Sequence, residues 1–158
     1  VIKNENVIKL LEELCNRNKG KEYLFYFKDE KSETINNINA QHITTYLKKY
    51  HKNLSPKMFR TWNGNNILIK YLVSRGKPSS EKEIKHNLRD AIKKVAIELH
   101  NTVSVAKSAY CNSEIYTTYL NDNDLFFQFI DDNRRVNGDK KTTDRILTLF
   151  LKKYYKKF

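Results

Sequence analysis

The stretch Ser79-Ser-Glu-Lys-Glu-Ile-Lys-His-Asn-Leu-Arg-Asp-Ala-Ile-Lys-Lys-Val-Ala-Ile-Glu-Leu99 decides the fold class. Ile84, Leu88, Ile92, Val95 and Leu99 recur at three- and four-residue spacing, the period of one helix face, and the residues between them are mostly charged. Ser79 or Ser80 caps this helix, and Arg75-Gly-Lys-Pro78 breaks the chain ahead of it. The chain holds only four Gly and two Pro, so the segments between breaks should be long and mostly helical.

Working outward, Ser55-Pro56 opens a second helix, with Ser as cap and Pro in the first turn, where a missing N–H costs nothing. Phe59, Trp62, Ile69, Leu72 and Val73 are expected to point inward from it. Gly64 in its middle costs about 1 kcal/mol against Ala, for which close packing, close approach of DNA and chance are all adequate reasons. Thr102 to Tyr110 reads as a short helix entered by a turn, and further helical segments are expected around Leu125–Ile130 and Asp144–Tyr155, with Val136-Asn-Gly-Asp139 as a turn between them. Toward the N-terminus, residues 4–18 read as an amphipathic helix stopped near Gly20. Tyr23 to Phe27 reads as a strand or buried extended segment, residues 28–38 as a polar loop, and Ala40 to His51 as a helix capped by Asn39 with Ile43 and Leu47 on its apolar face. No repeat or linker divides the chain. The expectation is one mostly α domain with at most one short strand element.

The 158 residues carry a formal charge of +12. Such an excess says nothing of fold but favours a polyanionic partner, with nucleic acid ahead of a membrane surface because no apolar run approaches about 18 residues. Ten Tyr and eight Phe supply bulk for a core. Cys15 and Cys111 match no metal-ligand spacing and give little support for a disulfide scaffold, so a reduced intracellular setting is expected. His42, His51 and His86 read as surface or packing residues, and Asp122, Asp124, Asp131 and Asp132 as caps or solvated charges rather than a metal site.

Two segments carry chemistry: Ser55-Pro-Lys-Met-Phe-Arg-Thr-Trp62 and Thr102-Val-Ser-Val-Ala-Lys-Ser-Ala-Tyr110. Together they resemble the catalytic domain of type IB DNA topoisomerases, particularly the small poxvirus-like enzymes, over roughly Lys21 to Tyr119. The tyrosine recombinases share the same order of arginine, donor and tyrosine and are the competing enzyme class; a non-catalytic basic DNA-binding module is the third reading. The resemblance implies a compact helical catalytic domain of the topoisomerase/recombinase type, with double-stranded DNA as its partner, in which Tyr110 attacks a DNA phosphorus and forms a 3′-phosphotyrosyl bond. The cut strand swivels, relaxing supercoils, and rejoins by reversal, so neither ATP, a metal nor any small-molecule cofactor is required. Arg60 would donate to two non-bridging oxygens, which suits a planar fork that stays charged. Between apolar Phe59 and Trp62, it should sit at the edge of a buried face.

Nine residues before Tyr110 stands Asn101, where the poxvirus-like enzymes and the recombinases usually have His. An amide can donate to a phosphoryl oxygen but adds no charge and shuttles no proton. His100, one residue earlier, is the alternative donor. Lys57, Lys70, Arg75 and Lys107 are candidates for phosphate contacts, although a solvated face is the plainer reading of each taken singly. The family also uses a second arginine and a lysine on a β-hairpin that protonates the leaving 5′-oxygen. No residue of Val1–Asn18 matches that context and the chain begins at Val1 rather than Met. Residues 1–158 are therefore expected to be a single catalytic fragment lacking that hairpin and the N-terminal domain, and to relax DNA poorly alone. The protein is expected to be a monomer, in the nucleus, virion or viral factory if it is viral.

Overall fold

Helices dominate, and the reason is visible in each. The computed structural model describes residues 2–17, 23–28, 34–136, 139–140 and 143–154. They gather into two compact units, Val1–Pro56 and Lys57–Phe158.

In the first unit, α1 (Glu5–Arg17) starts where the Asn4 carboxamide oxygen accepts from the Val7 N–H at 3.2 Å. The proposed stop at Gly20 lies outside the described residues. Strands β1 (Tyr26–Lys28) and β2 (Ile35–Asn37) form an antiparallel hairpin in the register Tyr26↔Asn37 and Lys28↔Ile35. Strand β1 overlaps the expected strand at Tyr23–Phe27 only at Tyr26 and Phe27, and the segment is not buried, since Phe25 and Phe27 are 50% and 38% exposed. Its partner falls in the stretch read as polar loop: Ile35-Asn-Asn lacks the alternation that marks a strand and is placed by backbone pairing. Helix α2 (Ala40–Lys48) has the expected cap. Asn39 Oδ1 accepts from the His42 N–H at 3.0 Å while His42 Nδ1 accepts from the Asn39 N–H at 3.2 Å, a reciprocal box that gives His42 its role. No residue of α1 or α2 is buried.

The second unit opens with α3 (Pro56–Arg75), Pro56 standing at its first position. Gly76, at φ 73°, ends it. Helix α4 (Glu81–Glu98) is capped by Ser80, whose Oγ accepts from the Glu83 N–H at 3.2 Å. Its expected stripe, Ile84, Leu88, Ile92, Val95 and Leu99, is buried throughout. Then come the short α5 (Val103–Val105), a π turn over Ala106–Tyr110, α6 (Ser113–Asn121), α7 (Asn123–Arg134), the two-residue strands β3 (Arg135–Val136) and β4 (Asp139–Lys140), and α8 (Thr143–Tyr154). The paired β3 and β4 flank the Val136–Asp139 turn signal; Asn137 and Gly138 lie outside the described residues. Helix α6 was not read from the sequence. Its Ile and Thr residues are poor helix formers, and only Ile115 and Tyr119 are buried along it.

The core of this unit is built on α4, with the second half of α3 and α6, α7 and α8 packed around it. Leu68, Leu72, Val95, Ile115, Phe126, Leu147 and Phe150 are fully enclosed, each worth roughly 1.5–3 kcal/mol against exposure. Tyr119, Phe126, Phe129 and Phe150 meet edge to face or tilted at 5.2–6.2 Å. One polar thread crosses the core: Arg75 Nε donates to Asn87 Oδ1 at 3.4 Å, and Asn87 Nδ2 to the Tyr119 hydroxyl at 3.3 Å. Among the described residues no helix is long and apolar enough to cross a membrane.

Candidate active site

The first half of α3 is gripped from three sides, and each grip uses a pair of residues one turn apart. At 100° per residue, the pairs Arg60/Gly64, Thr61/Asn65 and Trp62/Asn66 lie on successive faces of the helix.

The first pair meets Tyr110. The Arg60 guanidinium carbon lies 5.2 Å from the centre of the Tyr110 ring, and Arg60 Nη2 donates to the Leu99 carbonyl at 2.7 Å. Gly64 lies against the backbone of the same tyrosine. A Cβ there would stand 3.2 Å from the Tyr110 carbonyl oxygen, 3.3 Å from Tyr110 Cβ and 3.3 Å from Leu99 Cδ1. Close packing against the tyrosine thus accounts for the glycine that the sequence left open. The second pair fixes the chain just beyond the tyrosine. Asn65, 3% exposed, donates through Nδ2 to the Thr61 carbonyl at 2.8 Å and accepts through Oδ1 from the Asn112 N–H at 2.7 Å. The third pair faces α8: Trp62 Nε1 donates to Asp144 Oδ1 at 2.7 Å, and Asn66 Nδ2 to the same oxygen.

The Leu99 carbonyl is available to Arg60 because of how α4 ends. His100 takes φ 53°, the left-handed conformation, and the Asn101 and His100 N–H groups bond back to the Ala96 and Ile97 carbonyls at 2.9 and 3.1 Å. This leaves the Leu99 oxygen outside the helix ladder, where it accepts from Arg60 and from Asn101 Nδ2, the latter at 2.8 Å. One carbonyl therefore brings the guanidinium and the amide together. His100 occupies the turn through its backbone, and its side chain is exposed. An amide and a planar cation beside a phenol form a set of donors able to hold the oxygens of a phosphodiester. The guanidinium has five N–H donors, and Leu99 takes one.

Tyr110 closes the π turn, in which the Cys111 N–H reaches back five residues to the Ala106 carbonyl at 3.0 Å. A π turn admits one residue more than an α turn and often marks a functional site. Tyr110 is half-buried. Its neighbour Cys111 is buried, and burial pushes its thiol up to about 11, so it is a packing residue in its neutral form.

Arg60 is exposed and does not sit at the edge of a buried face as the sequence suggested. Phe59 and Trp62 are 58% and 37% exposed rather than turned inward, and the arginine is held by Leu99 and the tyrosine ring instead. Of the four phosphate-contact candidates, Lys57 stands exposed one turn before Arg60, and Lys107 lies on the π turn with Nζ 5.7 Å from the Tyr116 ring centre. Lys70 and Arg75 are on α3 but about 15 and 22 Å further along its axis. Lys70 acts on Asp144 and Arg75 reaches Asn87. Among the described residues no group of three His, Cys, Asp or Glu could hold a metal. Asp122 caps α7 by accepting from the Leu125 N–H at 2.9 Å, and Asp124 pairs with Lys77 at 2.5 Å.

Sequence reasoning missed Asn65 and Asp144, whose residue types carry no signal until the fold brings them to Asn112 and Trp62. It also searched for a lysine-bearing hairpin only in Val1–Asn18. The chain carries a hairpin after that, β1–β2, with Lys28 on its first strand; Lys31, between the strands, lies outside the described residues.

A family model described as eukaryotic DNA topoisomerase I, catalytic core, matches residues 1–125. Over 109 residues the chain is 27% identical to the DNA topoisomerase 1B of Acanthamoeba polyphaga mimivirus, an alignment covering 66% of this chain and 32% of that protein. The chain thus spans about a third of the length of this relative.

Proposed function

For a chain that belongs to the family of the eukaryotic DNA topoisomerase I catalytic core, we propose the role of catalytic portion of a type IB DNA topoisomerase acting as a monomer on duplex DNA. Tyr110 is the nucleophile. Its oxygen attacks a phosphorus of one strand and gives up its proton as the bond to the 5′-oxygen breaks, and that oxygen leaves protonated as a 5′-hydroxyl. The strand end held at Tyr110 is a 3′-phosphotyrosyl diester. After the free end swivels, its hydroxyl attacks the same phosphorus and releases the phenol. One phosphodiester replaces another at each step, so ATP has no place in the balance.

Arg60 and Asn101 hold the non-bridging oxygens, where negative charge grows in the transition state. Lys57 and Lys107 contact flanking phosphates and provide affinity with little sequence preference. The single observation that carries the reading is the Arg60 guanidinium set 5.2 Å from the Tyr110 ring centre, with Asn101 on the carbonyl that anchors it.

The test is relaxation of a supercoiled plasmid by the full-length protein without ATP. Relaxation that disappears in Tyr110→Phe and falls at least 100-fold in Arg60→Ala, with DNA still bound, is the expected result. A wild-type protein that binds but never relaxes DNA, or a Tyr110→Phe variant that still does, overturns the proposal; a recombinase would act only at paired specific sites.

A further inference from the structure

We infer that Asp144 is a positioning residue: from α8 it clamps the Arg60-bearing turns of α3, so that the C-terminal helix sets where the guanidinium meets Tyr110. The inference rests on the roles proposed above for those two residues.

The first turns of α3 have few apolar anchors. Met58, Phe59 and Trp62 are 42%, 58% and 37% exposed, and the buried residues of the helix begin at Gly64. What holds these turns is polar. One oxygen of Asp144 accepts both from Trp62 Nε1, at 2.7 Å, and from Asn66 Nδ2, across 82 and 78 residues of sequence. Asn66 is 6% exposed, and its own oxygen is buried without a hydrogen-bond partner among the described residues. The carboxylate fixes the direction of that amide, because a flipped one would set two oxygens face to face.

Asp144 is exposed, but the helix that carries it is anchored. It stands in the first turn of α8, where a negative charge complements the helix N-terminus, and Ile146, Leu147 and Phe150 of the same helix are in the core. Trp62 lies 200° around α3 from Arg60. Tension on Trp62 and Asn66 therefore holds the helix on a side away from its contact with Leu99 and Tyr110. Helix α8 lies beyond residues 1–125, so the carboxylate of this clamp, unlike its donors Trp62 and Asn66, is outside what the family match covers.

The experiment compares wild type with Asp144→Leu and Asp144→Asn in the full-length protein, the asparagine keeping an acceptor oxygen. Trp62 is the only tryptophan of residues 1–158, so with any other tryptophan replaced its emission reports the clamp directly. In Asp144→Leu we expect red-shifted, more quenchable Trp62 emission and about tenfold slower single-turnover cleavage of a DNA duplex, with affinity for that duplex within twofold. Asp144→Asn should recover most of the rate. A folded Asp144→Leu protein with altered Trp62 emission and a wild-type cleavage rate overturns the inference, since the contact would then be structural only. If Asp144→Leu does not fold, Trp62→Phe removes one donor of the clamp, and an unchanged cleavage rate there counts equally against it. If the wild-type protein never cleaves DNA, the proposed function fails. The Arg60 Nε–H resonance then decides the clamp: a shift in the Asp144 variant supports it and an unmoved signal overturns it.

Discussion

Replacing Gly64 with Ala separates folding from catalysis, because the added methyl acts on each with a different magnitude. In the middle of α3, alanine is favoured over glycine by about 1 kcal/mol. Against this, the new Cβ would meet the Tyr110 carbonyl oxygen at 3.2 Å and Tyr110 Cβ at 3.3 Å, both tied to backbone, and Leu99 Cδ1 at 3.3 Å. Relief requires a few tenths of an ångström of movement, and overpacking of this kind costs about 1–3 kcal/mol. The balance runs from near zero to about 2 kcal/mol of destabilisation, so Tm should fall by no more than about 8 °C. Catalysis has no offsetting gain. The strain falls on Tyr110, the nucleophile in the proposed mechanism, and a misplacement of about 1 Å costs roughly 100-fold. A shift about half as large should slow covalent cleavage about tenfold with DNA affinity held. Single-turnover cleavage beside a thermal melt gives both numbers. A Gly64→Ala protein that melts as expected but cleaves at the wild-type rate would show that the Tyr110 backbone need not rest on α3, and the close packing of helix on tyrosine would have no part in catalysis.

Other expectations arise from the same contacts. His100→Gly should stabilise the fold by about 0.5–1 kcal/mol in chemical denaturation, because glycine adopts φ 53° without the left-handed penalty; it should leave cleavage intact, whereas Asn101→Ala should slow cleavage at least tenfold, and the reverse pattern would make His100 the donor. Hydrogen bonds from Trp62 and Asn66, and then the charge of Lys70, hold the Asp144 carboxyl below its ordinary value. A depressed carboxylate stabilises the fold fully above its unfolded pKa and ceases to do so as pH falls through the folded one, so Trp62 emission should stay constant above about pH 4 and shift only below it; a shift centred near neutrality would exclude Asp144 as the titrating group.

What the sequence disclosed depended on how local the cause was. The α4 stripe and the caps at Asn39 and Ser80 needed only neighbours within one turn, and they stand as expected. Helix α6 and strand β2 did not show, because their residues are poor formers that other segments hold in place. Phe59 and Trp62 were placed inward by residue type alone, although the helix packs only from Gly64 onward. The site divided in the same way. Arg60, Asn101 and Tyr110 were legible as a family spacing, while the carbonyl that joins the first two is a backbone atom exposed by a left-handed residue. No pattern of side chains encodes that carbonyl. Nor does Ala-Lys-Ser-Ala announce a π turn, since those residues suit an α-helix equally well.

Whether Tyr110 is the nucleophile is decided most directly by identifying the residue that becomes attached to DNA. A duplex whose cleaved strand loses a short 5′-hydroxyl fragment by dissociation would hold the adduct of the full-length protein, and digestion followed by mass spectrometry would locate the nucleotide. The expected product is a nucleotide joined through its 3′-phosphate to the peptide containing Tyr110, and none in Arg60→Ala on the same timescale. Attachment at any other of the ten tyrosines, or through a 5′-phosphate, would contradict that role for Tyr110.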